Sequence, residues 1–246
     1  MGKADLHLHT RVSDGMAPVA AVVEHLARLG TMDVIAVTDH EDARGGHEAR
    51  ELAAQRGYAL DVVVGAEITT RQGHLLALFI EEAPPSFRSV ESTLEAIHRQ
   101  DGLAVIPHPM SWLTRSLSRR TIDRIVRRSE TGIGFDAIEL GNPSPAGRRT
   151  RAAAAAFNSA SWRLPATGGS DAHHLQHAGS GWTEFEGKTA KDLRRAIRDG
   201  DTGWGMGEYV TFRKIGLGPT ALQLAWGYSA TPRKVLAPIW PSRRRR

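Results

Sequence analysis

The sequence predicts an α/β barrel on two observations. Short apolar runs alternate with longer amphipathic stretches for most of the chain, and residues able to bind metal recur where the apolar runs end. The length agrees, since 246 residues can bury one large core and a single α/β barrel is about this size.

Strands are expected at Ala4 to Leu8, Asp33 to Thr38, Asp61 to Ala66, Leu75 to Ile80, Leu103 to Ile106, Ala137 to Leu140 and Leu164 to Thr167. Helices are expected between them, at Ala17 to Leu29, Ala43 to Arg56, Val90 to Gln100, Ser118 to Arg128, Ala146 to Ala160 and Ala190 to Asp199. Gly30, Gly57, Gly102 and Gly200 stand where C-terminal caps belong, because glycine takes the left-handed conformation that ends a helix at no steric cost. This βαβα order reads as a parallel sheet, interrupted once by a hairpin turn at Gln72-Gly73. After about residue 205 the pattern gives way to Gly, Pro, aromatic and basic residues, with a weakly amphipathic stretch from Ile215 to Tyr228.

Composition excludes several classes. Hydrophobic residues at 41% and charged residues at 24% are ordinary for a globular chain. With no cysteine, disulfides and thiolate metal sites are ruled out, so any metal must be held by His, Asp or Glu. The opening residues lack the pattern of a secretory signal and no long apolar run occurs, which reads as cytoplasmic. The net charge of +5 is unevenly placed. Residues 209 to 246 carry eight Lys/Arg and no acid, leaving 24 of the 32 basic residues against all 27 acidic ones in the first 208. The chain therefore divides into a mildly acidic body, 1–208, and a basic extension, 209–246. Such an extension suits nucleic acid, an anionic membrane surface, or simply a solvated end.

The metal-capable residues cluster at strand ends. His7 and His9 lie two apart on the first strand and face the same side; Asp14 follows in Ser13-Asp14-Gly15. His40, Glu67, His74 and His108 each sit at a strand boundary, and Asp171 and His173 follow the seventh strand. In a parallel barrel these loops open on one face, where ligands bind. Three carboxylates and six imidazoles form mixed N/O sites suited to Zn, Mn or Fe, whereas Mg or Ca would favour oxygen alone. Arg115, Arg119 or Arg148 is a candidate clamp for a phosphoryl oxygen, and Asn142 ends a strand near the same face. Asp39 and Glu41 flank His40, and one is expected to orient it. His25, His47 and His98 read as surface positions, and His174 and His177 as exposed loop residues.

Taken together, Asp5-Leu6-His7-Leu8-His9-Thr10, Ser13-Asp14-Gly15, Thr38-Asp39-His40, Gly65-Ala66-Glu67, His74, Pro107-His108-Pro109 and Gly169-Ser170-Asp171-Ala172-His173 resemble the PHP family, the polymerase and histidinol phosphatase domains. The resemblance implies a distorted (β/α)7 barrel with two or three divalent metal ions hydrolysing phosphoesters. By that resemblance one metal takes His7, His9, Glu67 and Asp171, a second shares Glu67 and takes His74 and His108, and a third takes Asp14, His40 and His173. Some members carry His where this chain has Asp14. The catalytic set is then Asp14, His40, Glu67, Asp171 and His173, acting through a hydroxide that bridges two cations. Only 33 residues separate His74 from His108, too few for an inserted lid domain, so an open site is expected. It would take a phosphorylated small molecule or a nucleic-acid end. The alternative is a non-catalytic metal-binding module supporting a nucleic-acid-processing partner.

Overall fold

A computed structural model of the chain describes residues 1–128 and 132–216, with positions 218, 221, 222, 225 and 226 beyond. Its strands are β1 (Gly2–Leu8), β2 (Val34–Val37), β3 (Asp61–Thr69), β4 (His74–Leu78), β5 (Leu103–Ile106), β6 (Ala137–Gly141), β7 (Ala166–Gly168), β8 (Gly181–Phe185) and β9 (Gly203–Met206). The helices are α1 (Val19–Leu29), α2 (Arg44–Arg56), α3 (Val90–His98), α4 (Arg119–Val126), α5 (Pro145–Phe157), α6 (Ala190–Asp199) and a single turn, α7 (Phe212–Ile215). All seven expected strands form, and β8 and β9 join them in one sheet ordered β7-β6-β5-β4-β3-β2-β1-β8-β9. The result is an α/β barrel, nearly closed and ringed by helices.

The expected parallel sheet with one interruption at Gln72-Gly73 is found there, but the sheet is more mixed than that expectation. The β1–β2, β2–β3, β5–β6 and β6–β7 joins are parallel, but β3–β4, β4–β5, β1–β8 and β8–β9 are antiparallel. The hairpin at Gln72-Gly73 reverses the chain, and β8 and β9 pack back along the edge that β1 leaves open. Closure between β7 and β8 runs through a side chain. The Gly168 amide donates to Thr183 Oγ1 (2.8 Å), and that hydroxyl donates to the Gly168 carbonyl (2.9 Å). Glycine is required at this seam. A Cβ on Gly181 would lie 2.4 Å from the Gly169 carbonyl oxygen and 2.6 Å from that of Gly141. Gly181→Ala is therefore expected to destabilise the fold by about 1–3 kcal/mol, as overpacking does, read as a lower urea midpoint at unchanged slope.

Helix ends follow local chemistry with one exception. α1, α2 and α6 stop at Gly30, Gly57 and Gly200, all left-handed. Gly102 is not a cap: α3 ends at right-handed Arg99, and Asp101 makes the left-handed turn with φ 58°. α5 widens at its end into a π turn, Asn158–Trp162.

The barrel interior is divided by height. Ala4, Leu6, Val34, Ala36, Leu76, Val105 and Ala137 fill its lower part, closed from below by Phe185 and by Leu193 and Ile197 of α6. Leu8, Ile35 and Val37 instead pack outward against α1 and α2. Leu6 and Leu8 thus face opposite sides, contrary to strict alternation, because β1 carries one extra residue between the Asp5–Ile35 and Leu8–Val37 pairs. That bulge turns His7 and His9 inward above the apolar floor and leaves Asp5 outside. Most of the basic extension, including Arg233, Lys234 and Arg243 to Arg246, and half of the stretch from Ile215 to Tyr228 lie outside the described residues. Among the described residues no helix is long and apolar enough to cross a membrane.

Candidate metal centre

All nine expected site residues meet at one end of the barrel. Glu67, on β3, is central: its Oε2 lies 3.3 Å from Nε2 of both His7 and His9 and 3.5 Å from that of His40. Its Oε1 lies 2.8 Å from His74 Nδ1 and 3.1 Å from His108 Nε2. Asp171 Oδ1 is 3.6 Å from Nε2 of both His7 and His9. Asp14 approaches His9 at 3.4 Å, His173 at 2.9 Å and His40 at 3.7 Å. Four groups of side chains bring ligand atoms close enough to share an ion: His7, His9 and Asp171; His7, Glu67 and His108; His40, Glu67 and His74; and His9, Asp14, His40 and His173.

These contacts fit cations better than they fit a hydrogen-bond network. Both ring nitrogens of His9 and Nδ1 of His74 are buried without a hydrogen-bond partner, although carboxylate oxygens stand close by. An orphaned buried polar atom is costly, and several converging on one point call for a charge between them. Donors about 2.0–2.2 Å from a tetrahedral ion stand about 3.3–3.6 Å apart, which is the spacing of Glu67 and Asp171 from His7 and His9. Burial opposes charge throughout: at His40 it prevails and lowers the imidazole pKa, but at His9 and three carboxylates opposite neighbours prevail. Asp14, Asp171 and Glu67 push the His9 imidazole up to about 10. Against the same burial, surrounding histidines hold Asp14, Glu67 and Asp171 below the usual carboxylate range. A field that retains protons so firmly equally favours a divalent ion once the imidazoles are neutral.

The groups differ in depth. The side chains of His7 and His9 are 0% exposed, those of His40 and Asp171 11%, and that of His173 20%, so an incoming ligand meets His173 first.

A second layer of polar groups aims the first. Glu139 accepts from His7 Nδ1 through Oε1 (2.9 Å) and from the His108 amide through Oε2 (2.8 Å). Ser116 Oγ meets His108 Nδ1 at 2.7 Å, and Ser144 Oγ donates to Asp171 Oδ2 at 3.0 Å. His108 and Asp171 hold left-handed backbones, φ 30° and 53°, a strain that surrounding contacts must maintain. Asp39 holds the loop that carries Asp14, accepting from the Thr10 amide and hydroxyl and from Ser13 Oγ. Glu41 accepts from the Thr69 amide and Ser86 Oγ. Asp5, fully buried and raised to about 6 by that burial, ties β1 to the Ser170 and Gly179 amides.

Some expectations change. Asn142 is not at the mouth: buried, it donates to Glu139 Oε2 (2.7 Å) and accepts from the Ser144 amide (2.9 Å), so it steadies Glu139 instead of meeting substrate. Arg119 is drawn away, stacked 3.9 Å over Phe157 and 3.5 Å from Asp123. Arg115 and Arg148 are exposed, and Arg115 supports the site through its carbonyl, which accepts the His74 amide at 2.7 Å. His174 and His177 are buried, not exposed; His177 stacks on Tyr209 at 3.7 Å. Glu139 was the main omission. Its signal was a carboxylate within the apolar run Ala137-Ile138-Glu139-Leu140, since such a charge is buried only with partners. Glu139→Gln is expected to lower metal affinity about 10- to 100-fold, the usual loss when a ligand's outer partner is removed, checked by titrating metal into stripped protein.

Comparison with known proteins agrees with this geometry. The PHP domain profile matches residues 5–124, and the PHP-associated profile matches residues 151–202. An uncharacterized protein of Methanocaldococcus jannaschii is 36% identical over 151 residues, covering 57% of this chain and 81% of that protein. A phosphoribosyl 1,2-cyclic phosphate 1,2-diphosphodiesterase of Eggerthella lenta is 36% identical over 38% of this chain and 37% of its own length. A 5'-3' exoribonuclease Rnm of Salmonella typhimurium is 36% identical over 34% of this chain and 30% of its own length. The chain thus spans little more than a third of these two enzymes at most. In fold it is similar to a two-domain Bacteroides vulgatus protein containing a predicted PHP-like metal-dependent phosphoesterase, with TM-score 0.66 at 20% identity over 83% of this chain and 64% of that one. It is also similar to PsfC from Pseudomonas syringae, with TM-score 0.63 at 18% identity over 92% of this chain and 100% of that one. With the barrel, the converging histidines and carboxylates and the matched profiles in agreement, the chain belongs to the PHP family.

Proposed function

We propose that residues 1–208 form a metal-dependent phosphoesterase that hydrolyses a phosphomonoester or phosphodiester, most readily a nucleotide or oligonucleotide, and that residues 209–246 are a basic extension of it. The observation that carries this reading is the pair of buried His9 nitrogens without hydrogen-bond partners, with Nε2 facing Glu67 and Asp171 oxygens at 3.3 and 3.6 Å, a spacing suited to a cation. In this reading His7, His9, Glu67 and Asp171 hold one ion, Glu67, His74 and His108 a second, and Asp14, His40 and His173 a third. Mn, Zn or Fe bound there would supply a nucleophilic water at neutral pH and neutralise charge on the phosphoryl oxygens.

The chain's own residues prepare for that chemistry. Glu139 fixes the His7 tautomer by accepting from Nδ1, which leaves Nε2 directed at Glu67 and Asp171. Ser116 holds the His108 ring from its Nδ1 side, leaving Nε2 directed at Glu67. Leu6, Leu76, Val105 and Ala137 exclude water from beneath, which strengthens every charge interaction above them. At the rim, His40 and His173 flank Asp14 and are the groups an incoming phosphate reaches first. Two relatives bear names of phosphoester-cleaving enzymes, which supports the reaction class.

The test is turnover by Mn-, Zn- and Fe-loaded protein of a panel of phosphomonoesters, phosphodiesters and short oligonucleotides. Hydrolysis of at least one class is expected. Failure with every substrate and all three metals would leave a binding module in its place.

A further inference from the structure

The loop that follows β5 carries an unusual surface. It leaves the barrel at His108, and its tip exposes Trp112 at 70% and Leu113 at 42%. Exposed tryptophan is a large apolar surface left in water, informative where polar groups of one kind surround it. The loop is well held: the Met110 amide donates to the Leu117 carbonyl (3.0 Å), Thr150 Oγ1 donates to the Pro109 carbonyl (2.7 Å), and Ser116 meets His108. Trp112 is therefore presented by a braced loop, no more than about 14 Å of chain from His108.

The neighbouring charge is of one sign. The Arg149 guanidinium lies 5.1 Å from the Trp112 ring centre, within cation–π range. Arg115 and Arg148 are exposed, and among the described residues neither side chain makes an ion pair or hydrogen bond. Residues 107–120 and 140–157 contain no Asp or Glu, so no acid of the loop or of α5 neutralises these arginines. α5 is tied to the metal centre at its start, where the N-cap Ser144 donates to Asp171. An aromatic face beside unpaired guanidinium groups, next to a phosphate-cleaving centre, has the chemistry of a single-stranded nucleic-acid site: bases stack on the ring and phosphates meet the arginines.

We propose that Trp112, with Arg115, Arg148 and Arg149, is a stacking platform for a nucleobase of single-stranded nucleic acid whose phosphate enters the metal centre. The platform rests on the phosphoester reading of the adjacent site, but it is tested by binding, so each can fail alone. Two probes are used with the manganese-loaded full chain: a 3′-fluorescein single-stranded hexanucleotide with phosphorothioate linkages to slow cleavage, and an abasic hexamer with the same linkages.

By fluorescence anisotropy, Trp112→Ala should weaken binding of the hexanucleotide about 5- to 150-fold, the range base–aromatic stacking gives. Trp112→Phe should retain most of the affinity, and the abasic hexamer should bind the parent and Trp112→Ala alike. Replacing Arg148 and Arg149 together by Gln should weaken both probes and reduce the salt dependence. Equal hexanucleotide affinity for the parent and Trp112→Ala would overturn the platform, as would an equal loss on both probes. Trp112-dependent binding, together with failure to hydrolyse any unmodified substrate of the panel above with all three metals, would uphold the platform and remove the catalytic reading.

Discussion

Asp171→Ala is expected to lower turnover by about 10²- to 10³-fold, the scale set by removing one electrostatic contact to a reacting phosphate, while the protein stays folded. The carboxylate stands 3.6 Å from His7 and His9 and 3.7 Å from His173, so its loss strips negative charge from the group it shares with His7 and His9 and from beside His173 of a neighbouring group. Its side chain lies at the rim, not in the apolar floor, so the core should survive. The backbone there is left-handed, φ 53°, which alanine tolerates less well than Asp or Asn. Asp171→Asn therefore serves as the matched variant, keeping shape and conformation while removing the charge. Both variants should lose activity and bound metal together, with a thermal unfolding transition retained. Parent-like turnover by either would end the assignment of Asp171 to the reaction. His9→Ala should behave similarly, because His9 faces all three of Asp14, Glu67 and Asp171.

Stripping metal is expected to have the other large effect, on stability as well as activity. Without cations the end of the barrel gathers buried carboxylates and imidazoles whose nitrogens are partly unsatisfied. A ligand that binds only the folded state stabilises it by about 2.7 kcal/mol at 100 times its Kd. For a chain of this size about 2–4 °C accompanies each kcal/mol. Manganese or zinc at that excess should therefore raise Tm by about 5–11 °C over chelator-treated protein, and calcium, which prefers oxygen donors, by less. Unchanged Tm and unchanged activity across chelation and reloading would contradict metal dependence. A shift in Tm without any activity would point to the supporting-module alternative.

Much of the fold was legible because its signals are local. The apolar runs at Val34 to Val37 and Leu103 to Ile106 read as buried strands, and Gly30, Gly57 and Gly200 marked helix ends, since each depends on neighbours in sequence. β8 and β9 were missed for the opposite reason. Gly181–Phe185 and Gly203–Met206 are short, glycine-containing and only partly apolar, and they become strands through pairing with β1 and with each other. Gly102 misled because a glycine after a helix looks alike whether it or its neighbour makes the turn.

The site divides in the same way. Residue types and their placement at strand ends were enough to nominate His7, His9, Asp14, His40, Glu67, His74, His108, Asp171 and His173, since few structural needs ask for imidazole and carboxylate at strand after strand. Tertiary structure alone decided which atoms face which. The bulge in β1 turned His7 inward, Glu139 crossed from β6 to hold it, Asn142 was turned to support Glu139, and His177 was buried under Tyr209. By itself the sequence determined the chemistry available to this protein, because donor types and local periodicity are properties of short stretches of chain. Orientation and depth came only with the closed barrel, because they arise from register and packing between segments as far apart as His7 and Glu139, 132 residues along the chain.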